Sequence, residues 1–130
     1  MILLDTHVVI WLISDFERLS DPAKREIQRA RKLGEGLAIS SISLLEVASL
    51  AGKNRIELEV PLGEFLRTLE DGFTVLPITG RACARTVELP ANYSRDPADR
   101  IIGATALVEG LTLITADHNI RASRAVPTVW

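Results

Sequence analysis

Short apolar runs alternate along the chain with longer segments whose apolar residues recur at helical spacing. "ILLD" is a run of buried-strand type, and "THVVIWLI" after it has the length and Trp content of a buried helix, which makes the start a strand-to-helix turn. "SDPAKREIQRARKL" opens on a capping residue with Pro22 at the first helical position, carries charges at helical spacing and stops at Gly34 to Gly36, so it reads as a helix. "LAIS" reads as a strand, and "SISLLEVASLAG" as a helix capped by Ser40 or Ser41 and closed by Gly52. "PLGEFLRTLEDG" repeats the helix pattern between Pro and Gly, "FTVLPIT" is rich in β-formers and ends at Pro77, and "GRACARTVEL" is a helix before the loop "PANYSR". "DPADRIIGATALVEG" begins at Asp96 before Pro97 and ends at Gly110; "LTLIT" is a strand, "ADHNIRAS" a turn or short helix, and "VPTVW" a last strand. Strands alternating with helices predict an α/β fold, a parallel sheet covered on both faces.

In such sheets, sites form outside the carboxyl ends of the strands, and acids from four segments fall there. Asp5 ends the first strand, and Asp117 follows "LTLIT" by two residues. Glu46 lies in the first turns of the helix after "LAIS". Asp96 and Asp99 open a helix that runs antiparallel to the following strand, so its start lies at the same edge. Glu46 also interrupts an expected buried stripe of Ile42, Leu45, Ser49 and Leu50. Asp99 continues a face of Ile102, Gly103, Ala106 and Gly110, small enough to pack closely on a sheet.

Each acid also has a structural role open to it. Asp96 is a helix N-cap by position, and Asp99 fits a capping-box acid. Asp117 suits a turn, Asp5 suits a cap on the helix at Thr6, and Glu46 could pair with Arg100 or Arg55. Taken together these roles are strained, because clustered like charges raise one another's pKa and a cation is the simplest remedy. An all-oxygen cluster without cysteine or a His pair suits Mg²⁺ or Mn²⁺, and Mg²⁺ favours phosphate oxygens as further ligands. Metal-assisted phosphodiester hydrolysis is the chemistry expected.

Composition narrows the setting. The 130 residues suit a single domain over 1–130, with 47% apolar and 25% charged residues. The apolar start is broken by Asp5 and His7, lacks a basic leader and is too short to cross a bilayer, so neither a signal peptide nor a membrane span is expected. Cys83 is the one cysteine, which excludes an internal disulfide and fits a cytoplasmic protein. A net charge of -2 gives no global field for a polyanion. The basic groups at Lys24, Arg25, Arg29, Arg31 and Lys32, and at Arg121 and Arg124, read as solvated helix faces.

The quartet Asp5, Glu46, Asp99 and Asp117, with "LLDTHVVIWLI", "ISSISLLEVA", "RDPADRIIGATALVEGLTLITAD" and "VPTVW", resembles the PIN-domain ribonucleases, specifically VapC-type toxins of toxin-antitoxin pairs. The resemblance spans nearly the whole chain. It implies a three-layer α/β/α fold with a central parallel sheet, RNA cleavage dependent on Mg²⁺ or Mn²⁺, a homodimer, and inhibition by a small VapB-like antitoxin. It makes Asp5 the first metal ligand and Asp99 its main partner. Glu46 completes the ligand set or orients the attacking water, Asp117 acts through water or a second ion, and Thr6 and Thr115 supply supporting hydroxyls. Asp96 matches an acid of the subgroup, with its cap role preferred. Ala98 and Leu45 depart from the aromatic and the Trp that close relatives often have there.

His7 and His118 flank the acids as general bases or as structural side chains, and Arg100 is the basic candidate for a bridge to the cluster or to phosphate. Cys83, Trp11 and Trp130 are expected in the core or a dimer interface. Two other classes stand beside the nuclease. One is a catalytically inactive α/β cation-binding interaction module, opposed by the presence of all four acids. The other is phosphoryl transfer with Asp5 as nucleophile, disfavoured because His7 stands where haloacid-dehalogenase-like enzymes carry a second Asp.

Overall fold

A computed structural model describes all 130 residues and gives the alternation in three dimensions. Strands β1 (Ile2–Leu4), β2 (Leu37–Ser40), β3 (Thr74–Leu76), β4 (Leu113–Ile114) and β5 (Thr128–Val129) form one sheet in the order β3-β2-β1-β4-β5. Every pairing is parallel, with Leu3 opposite Ala38 on one side and Leu113 on the other. The helices are α1 (Thr6–Ser14), α2 (Asp21–Lys32), α3 (Ser41–Gly52), α4 (Leu62–Gly72), α5 (Gly80–Thr86), α6 (Pro97–Glu109) and α7 (His118–Ser123), with a 3₁₀ turn at Phe16–Arg18.

The central strands β1 and β4 are apolar and buried throughout because both faces are covered, and period-two alternation along the sheet sorts the side chains into two cores. Ile2, Leu4, Leu37, Ile39 and Ile114 face Val8, Val9, Ile27, Val47, Phe65 and Leu69 on the side of α1, α2, α3 and α4. Leu3, Ala38 and Leu113 face Ile102, Ala106, Ile120, Leu89 and Tyr93 on the side of α6 and α7. The expected three-layer α/β/α arrangement is therefore present. No helix is long and apolar enough to cross a membrane.

Three packing expectations are corrected. In α3 the buried residues are Ser43 and Val47, whereas Leu45 is 64% exposed and Ser49 is exposed as well, so Glu46 sits at the border of the buried face rather than within a stripe. Cys83 is exposed, which removes the core alternative for it and leaves the dimer interface. Gly103 is small for Tyr93 rather than for the sheet: a Cβ there would fall on the Tyr93 hydroxyl, which donates to the Asp99 carbonyl at 3.1 Å.

Candidate active site

The strand order changes direction between β1 and β4, and a cleft opens at the carboxyl ends of these two strands, where parallel sheets form their sites. The cleft has a volume of about 480 Å³ and is lined by Asp5, Glu46, Asp96, Asp99 and Asp117 together with His7, Trp11, Arg18 and Ala116. All four acids expected from the sequence line the cleft together with Asp96, but Asp5 and Asp117 stand outside the tightest grouping. One carboxylate oxygen from each of Glu46, Asp96 and Asp99 lies within 4.8 Å of the others, a grouping able to hold a metal ion.

Asp5 is 6% exposed and both of its oxygens are held: Oδ1 accepts from the Thr6 N–H at 2.8 Å, and Oδ2 from the Thr115 hydroxyl at 2.7 Å. It thus caps α1, as its position suggested, while facing the cleft. The two threonines extend this scaffold to neighbouring acids. The Thr6 hydroxyl donates to Glu46 Oε1, so the Ser43 hydroxyl, 2.8 Å away, is left to donate to Thr6 Oγ1. Thr115 Oγ1 in turn accepts from the Asp117 N–H at 3.0 Å, and Asp117 Oδ1 caps α7 by accepting from the Ile120 N–H at 2.9 Å.

At the start of α6 the cap and the inward acid are separate residues. Asp96 Oδ1 accepts from the N–H groups of Ala98 at 2.8 Å and Asp99 at 3.1 Å. The Asp96 N–H is satisfied by Ser94 Oγ at 3.2 Å, and the Ser94 hydroxyl donates to Asp99 Oδ2 at 2.6 Å. Ser94 therefore takes the reciprocal capping place that Asp99 would fill in a capping box, and Asp99 turns to the cleft. Glu46, Asp96 and Asp99 each commit one oxygen to the protein by hydrogen bonding, Oε1, Oδ1 and Oδ2 respectively.

The charges are unbalanced. No lysine or arginine forms an ion pair with any of these acids. Burial, followed by the charges of Asp5, Asp96 and Asp117, pushes the Asp99 carboxyl up to about 7 against the pull of Ser94. Burial likewise raises Asp5 against its hydrogen bonds from Thr115 and Thr6, and raises Glu46 against its bond from Thr6. The Tyr93 phenol is raised by burial and by the charges of Asp5, Asp99 and Asp117. An oxygen-only donor set that forms no ion pair within the chain fits a hard divalent cation.

Arg100 does not bridge to the cluster; its Nη1 donates to the Thr86 carbonyl at 3.1 Å and ties α6 to α5. Arg55 is exposed and unpaired with Glu46. His7 lines the cleft at its exposed edge, while His118 is exposed on α7 and outside the cleft lining. Ser94, Tyr93 and Arg18 carry no signal in the pattern of the chain, because loops and 3₁₀ turns have no periodicity to mark them.

The PIN domain family matches residues 2–125. Ribonuclease VapC22 of Mycobacterium tuberculosis is 38% identical over 131 aligned residues, covering 99% of this chain and 98% of that protein. A toxin-antitoxin complex from Klebsiella pneumoniae contains a chain with a TM-score of 0.66 and 27% identity, covering 97% of this chain and 95% of its own. VapBC2 from Rickettsia felis, bound to a DNA fragment from its promoter, matches with a TM-score of 0.70 at 18% identity over 98% and 97% of the two chains, a likeness of fold.

Proposed function

The chain belongs to the PIN-domain family, and from that premise we propose that it is an endoribonuclease, the toxin of a toxin-antitoxin pair, hydrolysing RNA phosphodiester bonds with Mg²⁺ or Mn²⁺. The observation that carries the reading is the cleft of five acids with no basic partner for any of them. The 38% identity to a named ribonuclease supports the RNA substrate, and likeness to a toxin-antitoxin complex supports a VapB-like antitoxin as partner. A homodimer acting in the cytoplasm completes the proposal.

In this reading Asp5, Glu46, Asp99 and Asp117 hold the cation, with Asp96 as a further candidate beside its cap role. Bound there, a divalent ion neutralises phosphate oxygens and lowers the pKa of water towards neutrality. The chain's own part is orientation. Thr6 and Thr115 fix Asp5, Thr6 also fixes Glu46, and Ser94 fixes Asp99, so the carboxylates are aimed before substrate arrives. Glu46, half-buried and raised in pKa by its burial, in this reading completes the ligand set or orients the attacking water.

The test is cleavage of single-stranded RNA by partner-free protein in Mg²⁺ or Mn²⁺, with EDTA and Asp5→Asn as controls. Cleavage should vanish in EDTA and fall by at least about 100-fold in Asp5→Asn. Absence of cleavage across varied RNAs, together with unimpaired growth of cells expressing the chain, would leave the inactive cation-binding module as the better description.

A further inference from the structure

We propose that Arg18, resting on Trp11, is a positioning residue that holds a phosphate of the RNA chain beside the acidic cleft. The proposal rests on the nuclease reading and adds to it the means by which an anionic strand is seated against five acids.

Arg18 is the one Lys or Arg in the cleft lining. It closes the 3₁₀ turn Phe16–Arg18, and its guanidinium carbon lies 4.6 Å from the centre of the Trp11 ring. Arg29 is committed to Glu26 and Glu35, Arg85 to Glu88, and Arg100 to the Thr86 carbonyl, so none of these three has a guanidinium free for a ligand. Arg18 pairs with none of the acids that share its cleft. Trp11 is itself braced by Trp130, the ring centres being 5.8 Å apart, and His7 extends the aromatic surface at 5.9 Å on the exposed edge.

A guanidinium stacked on an aromatic face keeps its N–H edge free, and that edge matches two phosphate oxygens at once. With a net charge of only -2 the chain as a whole neither draws in nor strongly repels a polyanion, whereas the cleft acids repel one locally. A fixed cation at the rim, next to aromatic surface able to meet an unstacked base, is what a single strand requires there.

The test compares wild type, Arg18→Ala and Arg18→Lys in Mg²⁺-dependent cleavage of a single-stranded RNA. Binding of the same RNA is followed by fluorescence anisotropy against salt, with wild-type Arg18 and each Arg18 variant placed in an Asp99→Asn background and in EDTA, where cleavage is suppressed. Arg18 is exposed, and thermal melting checks that the variants fold. Arg18→Ala should raise KM by about tenfold with a smaller change in kcat. It should also flatten the log–log salt dependence of binding by about 0.7, the value of one single-strand phosphate contact. Arg18→Lys should restore the salt slope while recovering only part of KM, because an ammonium lacks the fork. If wild type cleaves and Arg18→Ala does so with the same KM and slope, this inference fails and the nuclease reading stands. If wild type cleaves no RNA, both fail. Unchanged RNA binding combined with a weaker hold on an antitoxin would assign Arg18 to a protein partner and overturn the proposal.

Discussion

The chain treats its acids in two opposite ways. On the surface of α2 and the turn after it, Glu26 and Glu35 bind the Arg29 guanidinium at 2.6 and 2.5 Å, and both carboxyls are held below their ordinary pKa, chiefly by hydrogen bonds from Arg29. In the cleft, Asp5, Glu46 and Asp99 are held above theirs, chiefly by burial. The first group is neutralised within the chain and needs nothing from solution. The second is fixed by hydroxyl and backbone donors, which orient carboxylates without supplying positive charge, and no ion pair within the chain neutralises it.

The sharpest way to break the contrast is Asp99→Asn. The amide keeps the shape and an acceptor for Ser94 and removes one negative charge, so it should abolish metal binding in calorimetry and lower RNA cleavage at least about 100-fold. The same substitution should raise the melting temperature of the metal-free protein, since it removes a buried charge that its neighbours oppose. A variant that still titrates with metal at wild-type affinity would remove Asp99 from the ligand set.

The pH dependence follows with opposite signs in the two regions. Asp99 titrates near 7 in the folded chain and at about 4 when unfolded, so the folded state binds the extra proton between these values. Its contribution to stability is fully present below about 4 and is lost as pH rises through about 7. Metal-free protein should therefore melt lower at pH 8 than at pH 5, and Mg²⁺ should stabilise it more at pH 8, where no proton has to leave. Glu26 and Glu35 run the other way, stabilising above their unfolded values and losing that contribution as pH falls. Melting curves across pH for wild type and Asp99→Asn separate the two; a stability that rises equally with pH in both would contradict the raised value at Asp99.

Much of this contrast was legible in the chain. Short apolar runs define β1, β2 and β4, and in a parallel sheet strand direction brings Asp5, Glu46, Asp99 and Asp117 to one edge. What was not legible depends on side chains whose burial contradicts their polarity. Ser43 is buried and Leu45 exposed in α3 because the Ser43 hydroxyl is used by Thr6, so counting apolar residues places the buried face wrongly. Ser94 lies in a loop, and only the folded turn shows that it relieves Asp99 of capping. Arg18 reaches the cleft because the chain folds back on α1 after Asp15, bringing residues seven apart in sequence into contact with one another at Trp11.

Asp96 lies between the two regimes, since it caps α6 through one oxygen and stands with Glu46 and Asp99 in the group that can hold a metal. Asparagine caps a helix about as well as aspartate, whereas alanine loses about 1 kcal/mol of cap energy. Asp96→Ala should therefore lower the melting temperature while Asp96→Asn leaves it close to wild type. Metal titration of Asp96→Asn then isolates the charge: weakened binding makes Asp96 a ligand, and unchanged binding leaves it a cap.

The smallest effect is expected at the other pole. Arg29→Gln removes the guanidinium from Glu26 and Glu35, but Arg29 is exposed and both glutamates are partly exposed, and such surface pairs contribute little. Melting should drop slightly at low salt and neutral pH. The drop should shrink as salt screens the pair, and again at acid pH as the glutamates protonate. RNA cleavage and metal affinity should not change, because this group is electrostatically complete without the cleft. A loss of cleavage in Arg29→Gln with the fold intact would mean that the surface cluster and the acids at the sheet edge are coupled, and that neutralisation within the chain is part of the same site.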